Sequence, residues 1–339
     1  MNSIYKAGIS AIGLSLMLLT DVNAAKAKSV VNEGWKITWN DGGATARNQK
    51  TGKEITLFKD DTSDEEGDSY SNDYTMLSVV GTTVSWSYTW YAEGGAHPTY
   101  GEEWYSVNLD SAAVNLAALF GEEAVFTRLM QDPVVQMAAG GGMADKAGPP
   151  KPNPNNLTQL LEQADGGCFA AMGDNLLTDY YFAYRLGGNI AVVQIGLTYG
   201  CEVNRGNFTK LNKLYFPIPR EMKKDFRRAV KKGVLEDIPF QKTSFNCAKA
   251  GTTIEFTICA DAAVAKLDIA MAKQYKAARR AASGEARKRI KKDQRAWIAN
   301  RNRECSWPGN EMLYDKGEFF GSIEACLVNS YEKRLAALK

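Results

Sequence analysis

The spacing of hydrophobic residues divides the chain into two parts with different periods. Between residues 34 and 109 apolar and polar positions alternate, which is typical of strands with one buried face. Two segments, 35–39 and 84–90, show the alternation best, with apolar faces made of Trp35, Ile37 and Trp39, and of Val84, Trp86, Tyr88 and Trp90. We therefore predict that the first part begins with strands.

Helical and strand patterns then follow each other up to residue 219. Residues 116–137 and 157–164 have helical spacing, and 180–186 and 190–198 predict two paired strands joined by Gly187-Gly188-Asn189. Residues 208–216 predict one more strand. The prediction for residues 25–219 is an α+β domain with a mixed, largely antiparallel sheet.

After Arg220 the pattern becomes helical. A basic segment, 221–232, predicts a short helix, and we assign 220–243 to a linker or to the first helix of the next module. Residues 260–282 and 285–304 predict two helices broken at Ser283-Gly284, which is typical of an antiparallel helical hairpin. Residues 330–338 predict a last short helix, so residues 244–339 are expected to form an all-α domain.

The first 24 residues are typical of an export signal. Lys6 precedes an apolar run at 9–19, and Val22-Asn23-Ala24 supplies small residues for cleavage after Ala24. The alternative, a membrane helix, requires about 20 apolar residues, more than this run contains. We therefore expect a periplasmic or secreted protein without an integral membrane segment after cleavage.

The six cysteines all follow this signal, and an even number in an exported chain predicts disulfides. Nearest neighbours pair as Cys247–Cys259 and Cys305–Cys326, although the predicted hairpin brings these four together and leaves crossed pairings open. Cys168 and Cys201 then pair within the first domain. The chain has one histidine and no CxxC motif, so we expect no metal site and no cofactor.

Charge is distributed unequally along the chain. Residues 25–220 contain 15 Lys+Arg and 23 Asp+Glu, a net charge of −8, whereas residues 221–339 contain 25 and 15, a net charge of +10. An acidic run (Asp60, Asp61, Asp64, Glu65, Glu66 and Asp68) and a basic cluster at the hairpin tip (Arg287, Lys288, Arg289, Lys291 and Lys292) are the two candidate binding segments. Such asymmetry suggests two modules with different partners.

Residues for catalysis are scarce. His97 is the only imidazole, and its neighbours Gly94, Gly95 and Pro98 favour a tight turn, with ligand contact as the second interpretation. Glu102 and Glu103 are adjacent in a predicted strand and would point to opposite faces, so they do not form a glycosidase pair. We therefore predict a protein that is not an enzyme.

Between about residues 247 and 338 the chain carries a spaced set of signature residues: Asp268, Tyr275, Gln294, Trp297 and Arg301, together with Cys259, Cys305, Cys326, Arg334 and Leu338. With these residues, the C-terminal stretch resembles the LprI-type lysozyme-inhibitor domain family. One departure is Asn302, where the family usually carries an acid beside the arginine. The resemblance implies a periplasmic helical domain and, in some members, lysozyme inhibition. We interpret Trp297 and Tyr275 as core residues, and Asp268 with Arg301 as an ion pair inside the domain.

Residues 35–219 resemble the lysozyme-receptor domain of RsiV-type anti-sigma factors, through residues 94–98 and their flanks at 77–81 and 107–109. Both resemblances imply a lysozyme-binding or lysozyme-inhibiting protein that acts by steric occlusion. Lysozymes are typically cationic, so the acidic run is the better expected contact than the basic hairpin. The alternative is an envelope scaffold whose hairpin tip binds an anionic surface, such as lipid, lipopolysaccharide or another polyanion.

Overall fold

The computed structural model describes residues 27–40, 42–59, 69–93, 99–111, 115–141, 151–201, 208–306 and 323–338. The strands are β1 (Lys28–Asn32), β2 (Trp35–Asn40), β3 (Gly43–Asn48), β4 (Glu54–Lys59), β5 (Ser69–Val80), β6 (Thr83–Glu93), β7 (Thr99–Asn108), β8 (Tyr180–Leu186), β9 (Ile190–Thr198), β10 (Phe208–Lys210), β11 (Leu214–Pro217) and β12 (Glu236–Ile238). The helices are α1 (Leu116–Phe120), α2 (Glu122–Leu129), α3 (Pro133–Ala139), α4 (Leu157–Gln163), α5 (Asn175–Thr178), α6 (Lys223–Lys231), α7 (Thr253–Ala260), α8 (Ala262–Ala281), α9 (Gly284–Ser306) and α10 (Ile323–Ala337).

The strands form three sheets, and the class predicted from the sequence is confirmed. The first sheet, with strand order β1-β2-β3-β4, and the second, with order β5-β6-β7, are antiparallel meanders. The third sheet has the order β10-β9-β8-β12, and β11 also pairs with β9. β12 pairs with β8 in parallel, while the other pairings are antiparallel. A helical region from α7 to α10 follows these sheets.

The first two sheets pack against each other through the alternating residues. Trp35 and Ile37 are buried, and they share a core with Phe58 and with Trp86 of the second sheet. Trp39, the third residue of the predicted face, is only half-buried. The alternation of apolar and polar residues therefore identifies the buried face of β2, because successive side chains of a strand point to opposite sides.

The largest core lies between the third sheet and helices α1 to α6. The stretch 220–243, expected as a linker or as part of the second module, packs in this core. Phe226 of α6 is buried and its ring lies 5.1 Å from that of Phe182 in β8. β12 extends the same sheet beside β8. The reason is that α6 presents Phe226 and Ala229, three residues apart, on one face that the sheet covers.

The expected strand at 208–216 is in fact two strands, β10 and β11, which pair with different parts of β9. Between them the amide of Asn212 donates to the Asp132 carboxylate at 2.7 Å. The same carboxylate caps α3 through the amides of Val134 and Val135. Burial raises the pKa of Asp132 to about 6, although these amide bonds act in the opposite direction. Between β10 and β11, the hydrogen bond between Asn212 and Asp132 takes the backbone out of the strand pairing with β9.

The helical region forms the predicted hairpin of α8 and α9, and α10 packs across both helices. α10 begins at Ile323, seven residues before the predicted start, and it buries Leu327 and Tyr331. α7 is buried on two sides. Ile258 faces the helical core, whereas Phe256 stacks on Tyr215 of β11 with ring centroids 4.8 Å apart. Because α7 contributes to both cores, the two regions contact each other directly.

Three disulfides connect the six cysteines. They join Cys168 to Cys201, Cys247 to Cys259 and Cys305 to Cys326, with S–S distances of 2.01, 2.04 and 2.04 Å. Among the last four cysteines, the nearest-neighbour pairing is thus the one formed. Each of these two bridges ties one helix end of the hairpin region to a neighbouring segment.

Candidate functional site

The signature residues of the helical region meet in a buried polar network. Arg301 donates to the Tyr331 hydroxyl at 2.8 Å, and this hydroxyl donates to the Asp268 carboxylate at 2.9 Å. The other oxygen of Asp268 accepts the Ser244 amide at 2.6 Å. The expected ion pair between Asp268 and Arg301 is therefore bridged by a phenol, which keeps both charges hydrogen-bonded away from water.

Asn302 occupies the position where the resembling family usually carries an acid. Its side-chain oxygen accepts from Nε of Arg301 at 3.1 Å and from a terminal guanidinium nitrogen at 2.7 Å. The guanidinium of Arg301 also lies 5.1 Å from the Trp297 ring centroid. A neutral amide thus contacts the guanidinium at this position, and among the described residues the charge of Arg301 is balanced by Asp268 through Tyr331.

The remaining signature residues also serve the core of this region. Gln294 accepts from Arg334 at 3.0 Å, and the Trp297 ring packs edge-on against Tyr331 at 5.4 Å. Tyr275 packs on the same core and carries the guanidinium of Arg279 over its ring at 5.6 Å. These contacts give the signature residues a structural role, because they are directed inward rather than to an open surface.

Past Met271 and Gln294 the hairpin continues without a fully buried side chain, although Ala272 and Tyr275 still pack partly against the core. We call residues 272–293 the basic arm: none of them is buried, and they contain nine Lys or Arg and two acidic residues. The basic residues are Lys273, Lys276, Arg279, Arg280, Arg287, Lys288, Arg289, Lys291 and Lys292. All five predicted tip residues are exposed. Arg287 also caps the end of α8 by donating to the carbonyls of Arg279 and Ala282, both at 3.1 Å.

The second candidate surface is the end of the β5–β6–β7 sheet that follows the acidic run in sequence. Ser69 pairs with Glu93, and Ala92 pairs with Thr99, so β5 and β7 begin where β6 ends. We define this sheet end as residues 69–75, 87–93 and 99–105. The acidic run and His97 lie outside the described residues, but their segments, 60–68 and 94–98, are attached here. Large aromatic side chains are exposed on β6 and β7, with relative exposures of 37% for Tyr91, 65% for Tyr100 and 39% for Tyr105.

The carboxylates of β7 point to opposite faces, as the alternation predicts. Glu102 accepts the Trp104 indole N–H at 2.6 Å, whereas Glu103 accepts the Tyr105 hydroxyl on the other face. Nearby, burial raises the pKa of Asp179 to about 6, and the negative charge of Glu103 adds to this shift. Glu102 and Glu103 therefore do not share one substrate position.

Other kinds of site are poorly represented in the described ranges. They contain no group of three or more His, Cys, Asp and Glu side chains arranged for a metal ion. A shallow cleft of about 420 Å³, lined by Lys151, Asp165 and several glycines, opens beside the Cys168–Cys201 bridge. None of the helices in the described part of the chain is long and apolar enough to cross a membrane.

The helical region is similar to a known protein family. Residues 246–338 match the family model of the lysozyme inhibitor LprI. The matched stretch runs from just before the Cys247–Cys259 bridge to the end of α10, and we call it the LprI-like region. The resemblance read from its residues is confirmed. No curated protein and no solved structure matched the chain.

The match has consequences for partner and compartment at the level of the family. The matched family model is that of a lysozyme inhibitor, so lysozyme is the partner associated with this family. Three disulfides and such a family both indicate an oxidising compartment outside the cytoplasm. The resemblance of residues 35–219 to a lysozyme-receptor domain lies outside the matched stretch and stays a prediction.

Proposed function

We propose that the protein binds lysozyme in the periplasm and inhibits it by covering its substrate cleft, with no turnover of its own. The observation that supports this proposal is the LprI match at residues 246–338. The matched region has a helical core that is stabilised by two disulfides and a buried polar network. The export signal at residues 1–24 is part of the same proposal, because the inhibitor must meet its partner outside the cytoplasm.

The charge distribution favours the sheet end as the surface that lysozyme meets first. Lysozymes are typically cationic, and attraction between opposite charges accelerates encounter and fixes orientation. The basic arm of the LprI-like region carries nine cationic and two acidic side chains and would repel such a partner. The acidic run of six carboxylates at 60–68 is attached to the first residue of β5 and has the complementary sign.

Exposed tyrosines at the same end supply contact area of the kind that interfaces use. Tyr91 and Tyr100 are directly opposite each other on β6 and β7. Tyr105, on the other face, has its hydroxyl held by Glu103. Tyrosine is enriched at interface hot spots, because a rigid ring offers a large contact surface with a polar tip. In this arrangement carboxylates attract the partner, and the aromatic side chains make the close contact.

The test is a binding and inhibition assay of the mature full chain against lysozymes of several classes. Replacing Asp61, Asp64, Glu65 and Glu66 by Asn or Gln should slow association about tenfold or more at low salt, while dissociation changes little, because rim charges act on encounter. A matched control replaces four exposed carboxylates elsewhere in the first region, Glu54, Glu122, Glu123 and Glu162, by Gln. This control removes the same charge and should slow association less.

A second variant separates contact from steering. Tyr91→Ala with Tyr100→Ala should raise the dissociation rate with little change in association, because hot-spot truncation acts mainly on the bound complex. If no lysozyme class is bound or inhibited, the proposed function is wrong. If inhibition persists unchanged in both sets of variants, lysozyme meets the LprI-like region and the electrostatic assignment is wrong.

A further inference from the structure

We propose that the basic arm, residues 272–293, binds the phosphate headgroups of an anionic lipid surface and holds the protein there peripherally. This property goes beyond lysozyme inhibition and uses a different part of the chain. It rests on three observations: the lack of buried side chains in the arm, its charge pattern and the opposite net charge of residues 25–220.

The arm projects beyond the core that stabilises the rest of the helical region. Met271 and Gln294, which flank it, are buried and joined by a hydrogen bond of 2.9 Å. From Ala272 to Asp293 no side chain is buried. Ala272 and Tyr275 still pack against the core, and Gln274 donates to the Leu335 carbonyl of α10, so the free part of α8 begins near residue 276 and measures roughly 9 Å at 1.5 Å per residue. Beyond these contacts the hairpin is available to a partner.

The charge pattern of the arm works against its own stability. Lys276 and Arg280, Arg287 and Lys291, and Lys288 and Lys292 are like-charged pairs four residues apart. Such pairs destabilise a helix, whereas oppositely charged pairs would stabilise it. In the described residues the arm has one carboxylate ion pair, Lys288 with Glu285 at 2.7 Å. Apart from this pair, Arg279 over the Tyr275 ring and Arg287 at the end of α8, the cations of the arm have no described partner in the protein, and an external anion would balance their charge.

The nature of the exposed side chains favours a surface of headgroups over insertion into hydrocarbon. Ile290 is the only Ile, Leu, Val, Met, Phe or Trp within 272–293, and it is half-buried. Lys and Arg side chains near an anionic membrane each increase partitioning about fivefold, and their contributions accumulate along a polybasic segment. The arm therefore has the means to bind electrostatically and lacks the means to insert.

The opposite charge of the first region gives this binding a direction. Residues 25–220 carry a net charge of −8, so the surface that attracts the arm repels them. The arm would therefore lie against the membrane, and the acidic residues, which the membrane repels, would stay accessible to a soluble cationic partner. Membrane attachment and lysozyme binding are thus compatible, and either can be absent without the other.

The experiment is cosedimentation of the mature full chain with vesicles of phosphatidylcholine alone and with phosphatidylglycerol added. The arm variant replaces Lys273, Lys276, Arg289, Lys291 and Lys292 by Gln, which leaves the Arg287 cap and the Lys288–Glu285 pair in place. The control variant replaces five exposed lysines outside the arm, Lys28, Lys36, Lys50, Lys231 and Lys249, by Gln. Both variants change the net charge equally, and circular dichroism verifies that both are folded.

We expect binding to the anionic vesicles only, lost at high salt, and weakened about 100-fold or more in the arm variant but only slightly in the control. Equal loss in both variants would mean that net charge alone acts, which overturns the proposal. Binding to phosphatidylcholine, or binding to soluble polyphosphate with none to vesicles, also overturns it. No lysozyme is present in this assay, so its outcome leaves the proposed inhibition untouched.

Discussion

The Tyr331 hydroxyl offers the sharpest test of how the LprI-like region is held together. Tyr331 is fully buried, and its hydroxyl is the only link described between Asp268 and Arg301. Burial raises the pKa of Tyr331, so the hydroxyl keeps its proton and donates it to the carboxylate while it accepts from the guanidinium. Tyr331→Phe removes this one oxygen and retains the ring that packs against Trp297.

The expected loss of stability follows from the two hydrogen bonds that disappear. Each bond to a charged group contributes about 1.5–3 kcal/mol, and a buried partner left without one loses its solvation as well. Asp268 retains the Ser244 amide and Arg301 retains Asn302, so part of the charge stays satisfied. We therefore expect Tyr331→Phe to lower the free energy of unfolding of this region by about 3 kcal/mol.

Urea unfolding followed by circular dichroism gives the free energy, and hydrogen exchange of peptides from α8, α9 and α10 localises the change. Tyr275→Phe is the matched control, because it removes a hydroxyl that has no described hydrogen bond in the same region and should cost less than about 0.5 kcal/mol. Equal stabilities of the two variants would refute the argument that the phenol connects the two charges.

Three further predictions address the interface, the pH dependence and the disulfides. Phe256→Ala should destabilise by about 3 kcal/mol and raise hydrogen exchange in both α7 and β11, because its ring stacks on Tyr215; exchange confined to α7 would show that the regions are not coupled. The pKa of Asp179 is raised to about 6, so the folded state takes up a proton before the unfolded state as pH falls, and this group stabilises on acidification. The stability of Asp179→Asn relative to the unaltered protein should therefore be highest above pH 7 and fall below about pH 6, as measured by urea unfolding across that range; a constant difference would contradict it. Replacing Cys305 and Cys326 by Ala should lower the free energy of unfolding by about 3 kcal/mol, because this bridge closes a loop of 21 residues. Thiol titration of the unreduced parent protein should detect no reactive thiol.

Several features of the molecule were predictable from the sequence because they depend on local spacing. Alternation identified β2 and β6, and spacing of three and four identified α8 and α9 with their break at Ser283-Gly284. The cysteines predicted disulfides with nearest-neighbour or crossed pairing in the helical region, and the structure selected the nearest-neighbour bridges. The role of Tyr331 was not predicted from the sequence. The last helix was expected to begin at residue 330, so Leu327 and Tyr331 were not recognised as lying four residues apart on one helical face.

The sequence by itself determined the α+β class, the helical hairpin, the division of charge and the resemblance to the lysozyme inhibitors. It did so because periodicity, charge and motif spacing are properties of neighbouring residues. Only the tertiary structure decided that α6 and β12 complete the first region, that α7 contributes to two cores, and that a phenol connects Asp268 to Arg301. Each of these depends on contacts between residues distant in sequence, where the geometry of packing, rather than local preference, selects the partner.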